Sequence, residues 1–151
     1  MLTKPSRSQC IVIRNKKILL AIHSKNGQSW HCLPGGGIEA GESPEEAALR
    51  ELQEECLVTG TLIQKTSEYA DPFHDGHTHT FYVDIGDQTP ALGEDPEVQG
   101  SSILTGIEWL ALDQICERDR AFLWAAGLLS IKEFANELHR WGDDISYPSP
   151  R

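Results

Sequence analysis

The stretch from Leu33 to Val58, LPGGGIEAGESPEEAALRELQEECLV, limits the fold more than any other part of the chain. Gly35, Gly36 and Gly37 follow Pro34 in a row. Lacking a Cβ, successive glycines let the backbone turn with positive φ and let a ligand approach closely. Ser43, Pro44 and Glu46 then spell a helix start: a side-chain N-cap, proline at the first helical position and the S-x-x-E capping box. The expected helix runs from Ser43 to about Val58. A glycine-rich loop leading into a helix N-terminus suits phosphate groups, because free N–H groups and the helix dipole point at the anion.

The expected helix carries Glu51, Glu54 and Glu55 at i, i+3 and i+4. At roughly 100° per residue these lie on one face. Leu49, Leu52 and Cys56, with Ala48 at the edge, form a different face that can be buried. Like charges at i, i+4 repel by a few tenths of a kcal/mol. A hard divalent cation converts that repulsion into coordination, since Mg²⁺ takes oxygen ligands and pairs one or two carboxylates with substrate phosphates. A solvated acidic face is the ordinary account of an E-x-x-E-E run taken alone.

Together the loop and helix resemble the signature of the Nudix hydrolases, G-x5-E-x7-R-E-U-x-E-E-x-G-U with U aliphatic. Gly36, Glu42, Arg50, Glu51, Leu52, Glu54, Glu55 and Val58 fill eight of the nine specified positions over 23 residues. Leu57 stands where the family has glycine, at the point where a helix commonly ends in the left-handed conformation. Gly60 is expected to end the helix instead.

The resemblance implies an α/β/α sandwich with a mixed β-sheet. It also implies hydrolysis of a diphosphate bond in a nucleoside diphosphate linked to another group, or in a nucleoside triphosphate. By the same resemblance Mg²⁺, with Mn²⁺ as a substitute, is held by Glu51, Glu54, Glu55 and the Gly35 carbonyl, while Gly36 and Gly37 meet the substrate. The general base is a carboxylate of the helix, Glu51 or Glu54, or one of the downstream loop, Glu97. Glu42 binds metal or braces the loop; Arg50 is structural, its guanidinium holding a carboxylate through two parallel bonds. A nucleotide-sensing module without turnover and a diphosphate isomerase remain as alternatives on the same fold. Cys32 lies near the loop but has no evident partner for isomerase chemistry. Similar proteins commonly form homodimers.

The rest of the chain frames this segment. QCIVIR (Gln9–Arg14) and ILLAIH (Ile18–His23) are strand-like runs separated by the turn signal Asn15-Lys16-Lys17. His23 occupies a position where similar proteins place a basic residue, and a plain strand-end histidine is the simpler account of it. Thr59 to Tyr69 and HTHTFYVDI (His77–Ile85) are further strands. In the second, His77, His79, Phe81, Val83 and Ile85 share one face. His77 and His79 are candidate substrate contacts. With His74 they also suggest zinc, but no fourth ligand accompanies them. Gly86–Gly106 is a long turn-rich loop carrying Glu94, Asp95 and Glu97. Ile107–Leu110 is a strand and Ala111–Glu117 a short helix. Arg120–Trp141 is an amphipathic helix ended by Gly142, and 143–151 form a flexible tail. Trp30, Tyr69, Phe73 and Tyr82 are the aromatics that could stack on a base.

The 151 residues suffice for one domain, 1–151, with its own core. A formal charge of −10 argues against a general nucleic-acid binder, and it means that a polyanionic substrate needs cations to screen the site. No apolar run reaches membrane-spanning length. Four cysteines without a C-x-x-C pair fit free thiols in the cytoplasm.

Overall fold

The computed structural model describes residues 6–70, 76–94 and 102–141, with side chains to residue 136. His74, Phe73, Glu97 and the 143–151 tail, all singled out above, lie outside the described residues.

Among the described residues, eight strands and three α-helices follow in the order β1 (Arg7–Ile11), β2 (Ile13–Arg14), β3 (Lys17–Lys25), β4 (Gln28–Cys32), β5 (Gly35–Gly37), α1 (Pro44–Cys56), β6 (Thr61–Ala70), β7 (His77–Asp84), β8 (Ile103–Leu110), α2 (Glu117–Ala125) and α3 (Lys132–Trp141). Short 3-10 turns cover Leu112–Gln114 and Leu128–Ser130. The strands form two four-stranded sheets. One runs β5-β1-β7-β6 and is mixed, since β1 and β7 are parallel. The other is antiparallel, with β3 pairing β2, β4 and β8.

Alternation along the strands builds two cores. Ile11, Ile18 and Leu20 join Leu123 of α2 and Phe134 of α3 on one side. Their neighbours Cys10, Val12 and Leu19 join Ala48, Leu52 and Cys56 of α1 on the other. A period of two on strands covered on both faces therefore gives continuous apolar runs. This is the expected α/β layering, with α1 and the pair α2–α3 packed on separate cores. The QCIVIR run divides at Val12 between the sheets, and Asn15 and Lys16 make the hairpin turn with φ of 51° and 63°.

Four details differ from the sequence expectations, each for a tertiary reason. The glycines form an edge strand instead of an open loop: Gly35, Gly36 and Gly37 pair with Gln9, Ser8 and Arg7. A Cβ on Gly35 would run into the Ser8 carbonyl, so its bareness serves close pairing. α1 ends at Cys56, and Leu57 itself takes the left-handed C-cap at φ 57°, ψ 37°. Gly60 does not end the helix; its missing side chain admits Val83 and Leu52. β8 begins at Ile103, four residues before the expected strand, because it pairs along β3 as far as Ser24. The long C-terminal helix is broken at Gly127 (φ 83°), where a Cβ would strike the Thr66 carbonyl. Thr66 and Ser67 hydroxyls donate to the Ala126 and Ala125 carbonyls at 2.8 and 2.7 Å, satisfying the end of α2 from β6.

Candidate active site

α1 forms because its start is fully capped. The Glu46 N–H donates to Ser43 Oγ at 3.1 Å, and the Ser43 N–H donates to Glu46 Oε1 at 3.3 Å. Its far end is closed by another segment: Ala91, Gly93 and Glu94 donate N–H groups to the Cys56, Glu55 and Glu54 carbonyls at 3.0, 2.8 and 3.0 Å. The downstream loop is thus fixed against the turn that bears the carboxylates.

Burial separates the three helical glutamates. Glu51 and Glu55 are each 1% exposed, whereas the Glu54 side chain keeps 29% of its surface. Arg50 organises this side of the helix. Its guanidinium donates to both Glu42 oxygens (Nε to Oε2 2.7 Å, Nη2 to Oε1 2.9 Å), to Glu51 Oε1 at 2.9 Å, to Glu54 Oε2 at 3.2 Å and to the Gly37 carbonyl at 2.9 Å. These bonds hold the Glu42 carboxyl below its ordinary pKa. The parallel pair of bonds goes to Glu42, outside the helix, so Arg50 ties the loop to α1. Gly36 lies directly under Glu51: a Cβ there would come within 2.5 Å of Glu51 Oε1.

Glu55 faces the glycine strand and accepts the Gly35 N–H at 2.7 Å. Its other oxygen lies 3.7 Å from His23 Nε2. His23 Nδ1 meets Ser102 Oγ at 3.2 Å, and the proximity of Cys32 first and of the Glu55 carboxylate second pushes the His23 pKa up to about 10 against the opposing effect of burial. His23 also stacks on Trp30 with ring centroids 6.1 Å apart. The plain strand-end account of His23 therefore gives way to a cation set beside Glu55. The strand alternation of ILLAIH held no signal for that, since only the β3–β4 pairing brings His23 across from Trp30.

His77 and His79 are not brought to this group. They meet Glu68 and Lys65 of β6 and Ser6 just before β1. Tyr82 packs against the α2–α3 core, which favours its structural account over stacking.

The donor set can be weighed against a divalent cation. Glu42, Glu51, Glu54 and Glu55 surround one guanidinium and one imidazolium, and all are hard oxygen donors. Among the described residues, no three His, Cys, Asp or Glu side chains converge into a ligand set by themselves. Mg²⁺ does not require such a cage; it keeps several waters and relies on substrate phosphates. The residues fit that mode of binding.

A cavity of about 360 Å³ opens at the end of β4, lined by Gln28, Trp30, His31, Cys32, Arg118, Asp119 and Phe122. A second, of about 570 Å³, is lined by Glu54, Leu57, Leu92, Gly93 and Glu94. The second includes Glu54 itself, and the first is connected to the carboxylates through Trp30, which stacks on His23 beside Glu55. No helix among the described residues is long and apolar enough to cross a membrane.

The chain is 32% identical over 109 residues to an ADP-ribose pyrophosphatase of Methanocaldococcus jannaschii, covering 68% of this chain and 64% of that one. It is 32% identical over 102 residues to a Bacillus subtilis (strain 168) protein named provisionally as an 8-oxo-dGTP diphosphatase, covering 67% and 62%. The matches thus span under two thirds of these relatives' lengths. A crystal structure of a NUDIX family hydrolase from Clostridium perfringens superposes with a TM-score of 0.61 at 20% identity, covering 85% of this chain and 99% of that one. The NUDIX domain family model matches residues 4–130, and this chain belongs to that family.

Proposed function

We propose that the protein is a divalent-cation-dependent hydrolase of diphosphate bonds in nucleotide-type substrates. The observation that carries this reading is the joint fixation of Glu51, Glu54 and Glu55 beside the glycine strand by Arg50 and the Gly35 N–H. Such preorganised charge does not have to be gathered when the substrate arrives.

Glu51, Glu54 and Glu55 would hold Mg²⁺, with the Gly35 carbonyl as a further oxygen. When bound, Mg²⁺ neutralises phosphate charge and lowers the pKa of a coordinated water. The chain's own groups do the rest. His23, with Nδ1 against Ser102 Oγ at 3.2 Å and Nε2 3.7 Å from Glu55, sets positive charge beside a carboxylate that would hold the metal. The space over Gly36 is taken by the Glu51 carboxylate, so Gly36 serves the site by seating Glu51, and Gly36 and Gly37 would meet the diphosphate only through their backbone. Glu54, the most exposed of the three carboxylates, is the helical candidate to accept the proton of the attacking water. Glu97 remains a candidate for the same role.

The 360 Å³ cavity gives the nucleoside a place, with Trp30 and Phe122 as aromatic walls and the Asp119 carboxylate as an acceptor. The relatives' names, one an ADP-ribose pyrophosphatase and one an 8-oxo-dGTP diphosphatase, support substrates of this kind. The free thiols fit a reducing compartment, and we place the protein in the cytoplasm.

Release of phosphate-containing products should be measured over a panel of nucleotides with and without Mg²⁺, for the wild type and Glu54→Gln. The expected result is cation-dependent turnover that falls by two orders of magnitude or more in the variant, with an unchanged melting temperature. Tight nucleotide binding without turnover in the wild type would instead point to a sensing module.

A further inference from the structure

The cavity beside β4 and α2 reaches the carboxylate group through Trp30. The Trp30 indole lines that cavity and also lies against the His23 imidazole, with ring planes inclined by only 16°. The two residues are direct partners across the β3–β4 ladder, so their side chains leave the sheet on the same face. The backbone beneath them is held along both edges of β4. β3 pairs with one edge; on the other, the His31 N–H donates to Asp119 Oδ2 at 3.1 Å and Arg118 Nη2 donates to the Ser29 carbonyl at 3.0 Å. Trp30 stands between those two anchors, so a ligand entering the cavity acts on its ring and not on its strand.

His23 carries the contact onward. Its Nδ1 is 3.2 Å from Ser102 Oγ, just before β8, and its Nε2 is 3.7 Å from Glu55 Oε2. The second distance is a charge contact, longer than a direct hydrogen bond. Glu55 Oε1 accepts the Gly35 N–H at 2.7 Å. One oxygen of this carboxylate is thus tied to the glycine strand, and the other faces an imidazole whose place is set by Ser102 and the Trp30 ring.

We propose that Trp30 and His23 are positioning residues that couple the nucleoside cavity to the cation site: a base packed on Trp30 steadies His23, which steadies Glu55. The inference rests on the hydrolase reading above, since it needs a cation at Glu55 and a nucleoside in the cavity. Partners of a ligating carboxylate fix its orientation, and losing one typically weakens metal binding by about 10–100-fold. The positive charge of His23 opposes a second cation, but it does so whether the cavity is filled or empty. What filling changes is the freedom of the two rings, and a ligand that has already ordered them removes that cost from cation binding. By linkage, the bound cation tightens the nucleoside by the same factor.

The test uses adenosine and guanosine, which carry no phosphate and so cannot recruit a cation themselves. Mn²⁺ binding to the full chain is measured by electron paramagnetic resonance, with and without each nucleoside at saturation. For at least one nucleoside, the Mn²⁺ dissociation constant of the wild type is expected to fall about fivefold. Trp30→Phe, which keeps a flat ring against His23, should keep the effect. Trp30→Leu and His23→Gln should each abolish it, and the double variant should lose no more than either alone. His23 does not line the cavity, so His23→Gln should still bind the nucleoside, which separates lost coupling from a lost ligand. Mn²⁺ affinity unchanged or weakened by the nucleosides, or coupling that survives both Trp30→Leu and His23→Gln, overturns the relay. Glu54→Gln tells the two readings apart. Mn²⁺ binding that is lost in this variant but indifferent to nucleoside in the wild type removes the relay alone. Mn²⁺ binding equal in the variant and the wild type removes the hydrolase reading and the relay together.

Discussion

Gly36 shows how one missing methyl can hold a site together. Its α-carbon faces the Glu51 carboxylate so closely that a Cβ would sit 2.5 Å from Oε1 and 2.6 Å from Cδ. Glu51 is buried and bonded to Arg50, so it has little room to retreat. Overpacking a filled interior costs about 1–3 kcal/mol. Gly36→Ala is therefore expected to lose roughly that much stability in urea melts and most of its turnover, because Glu51 is displaced from Arg50. A variant with wild-type stability and rate would show that the glycine is only a backbone convenience. Burial also changes what substitution at Glu55 means. An exposed acidic stripe could lose any member without harm to the fold. Glu55, however, accepts the Gly35 N–H at 2.7 Å and is 1% exposed, so it belongs to the packing as well as to the chemistry. Glu54 is the residue at which the two can be separated.

At the scale of elements, α1 works because other segments complete it. Its N-terminus is self-sufficient, since Ser43, Pro44 and Glu46 lie together in sequence and cap one another. Its C-terminus depends on residues more than thirty positions away, whose N–H groups meet the last carbonyls. Gly93 is the tightest point of that junction. Gly93→Ala is expected to break the contact to Glu54 and Glu55, lowering stability by about 1–3 kcal/mol. It should also speed amide exchange at Gly93 and Glu94, read by hydrogen–deuterium exchange. Unchanged exchange there would mean that the loop does not rely on the helix end. The same reasoning explains what was legible in each element. The capping box and the apolar spacing Ala48, Leu52, Cys56 are local, and they predicted α1 to within two residues of its end. The break after Ala125 had a local signal in Gly127, which takes the left-handed conformation at φ 83°, whereas the bonds from Thr66 and Ser67 of β6 that complete it are not local. β8 was legible only in its last four residues, since its first four are specified by pairing with β3.

Across the whole molecule, the balance of charge links site and stability. Asp119 lies 4% exposed where α2 packs against β4. Burial alone would raise its pKa, but Arg118 and the His31 N–H outweigh burial and hold it below its ordinary value. A carboxyl depressed in the folded state stabilises the fold above its unfolded pKa. That contribution is lost as pH falls through the folded value. Asp119→Asn should therefore cost about 1–3 kcal/mol at pH 7, as expected for a buried acceptor with charged partners. The gap to wild type should shrink below about pH 4, near the unfolded carboxyl value. Equal differences at pH 7 and pH 3 would exclude this linkage.

Read as a string, the chain determined the helix start at Ser43, the apolar runs of both cores, the family through its spaced glycine, arginine and glutamates, and a net charge that calls for cations at any phosphate site. Each of these depends on neighbours within a few turns or on simple counting. Only the tertiary structure decided that the glycines are a paired strand, that Arg50 grips Glu42 as well as α1, and that His23 meets Glu55 while His77 and His79 meet Glu68. Those are contacts between separate segments, from Arg50 and Glu42 eight positions apart upward, and local propensity contains no term for them.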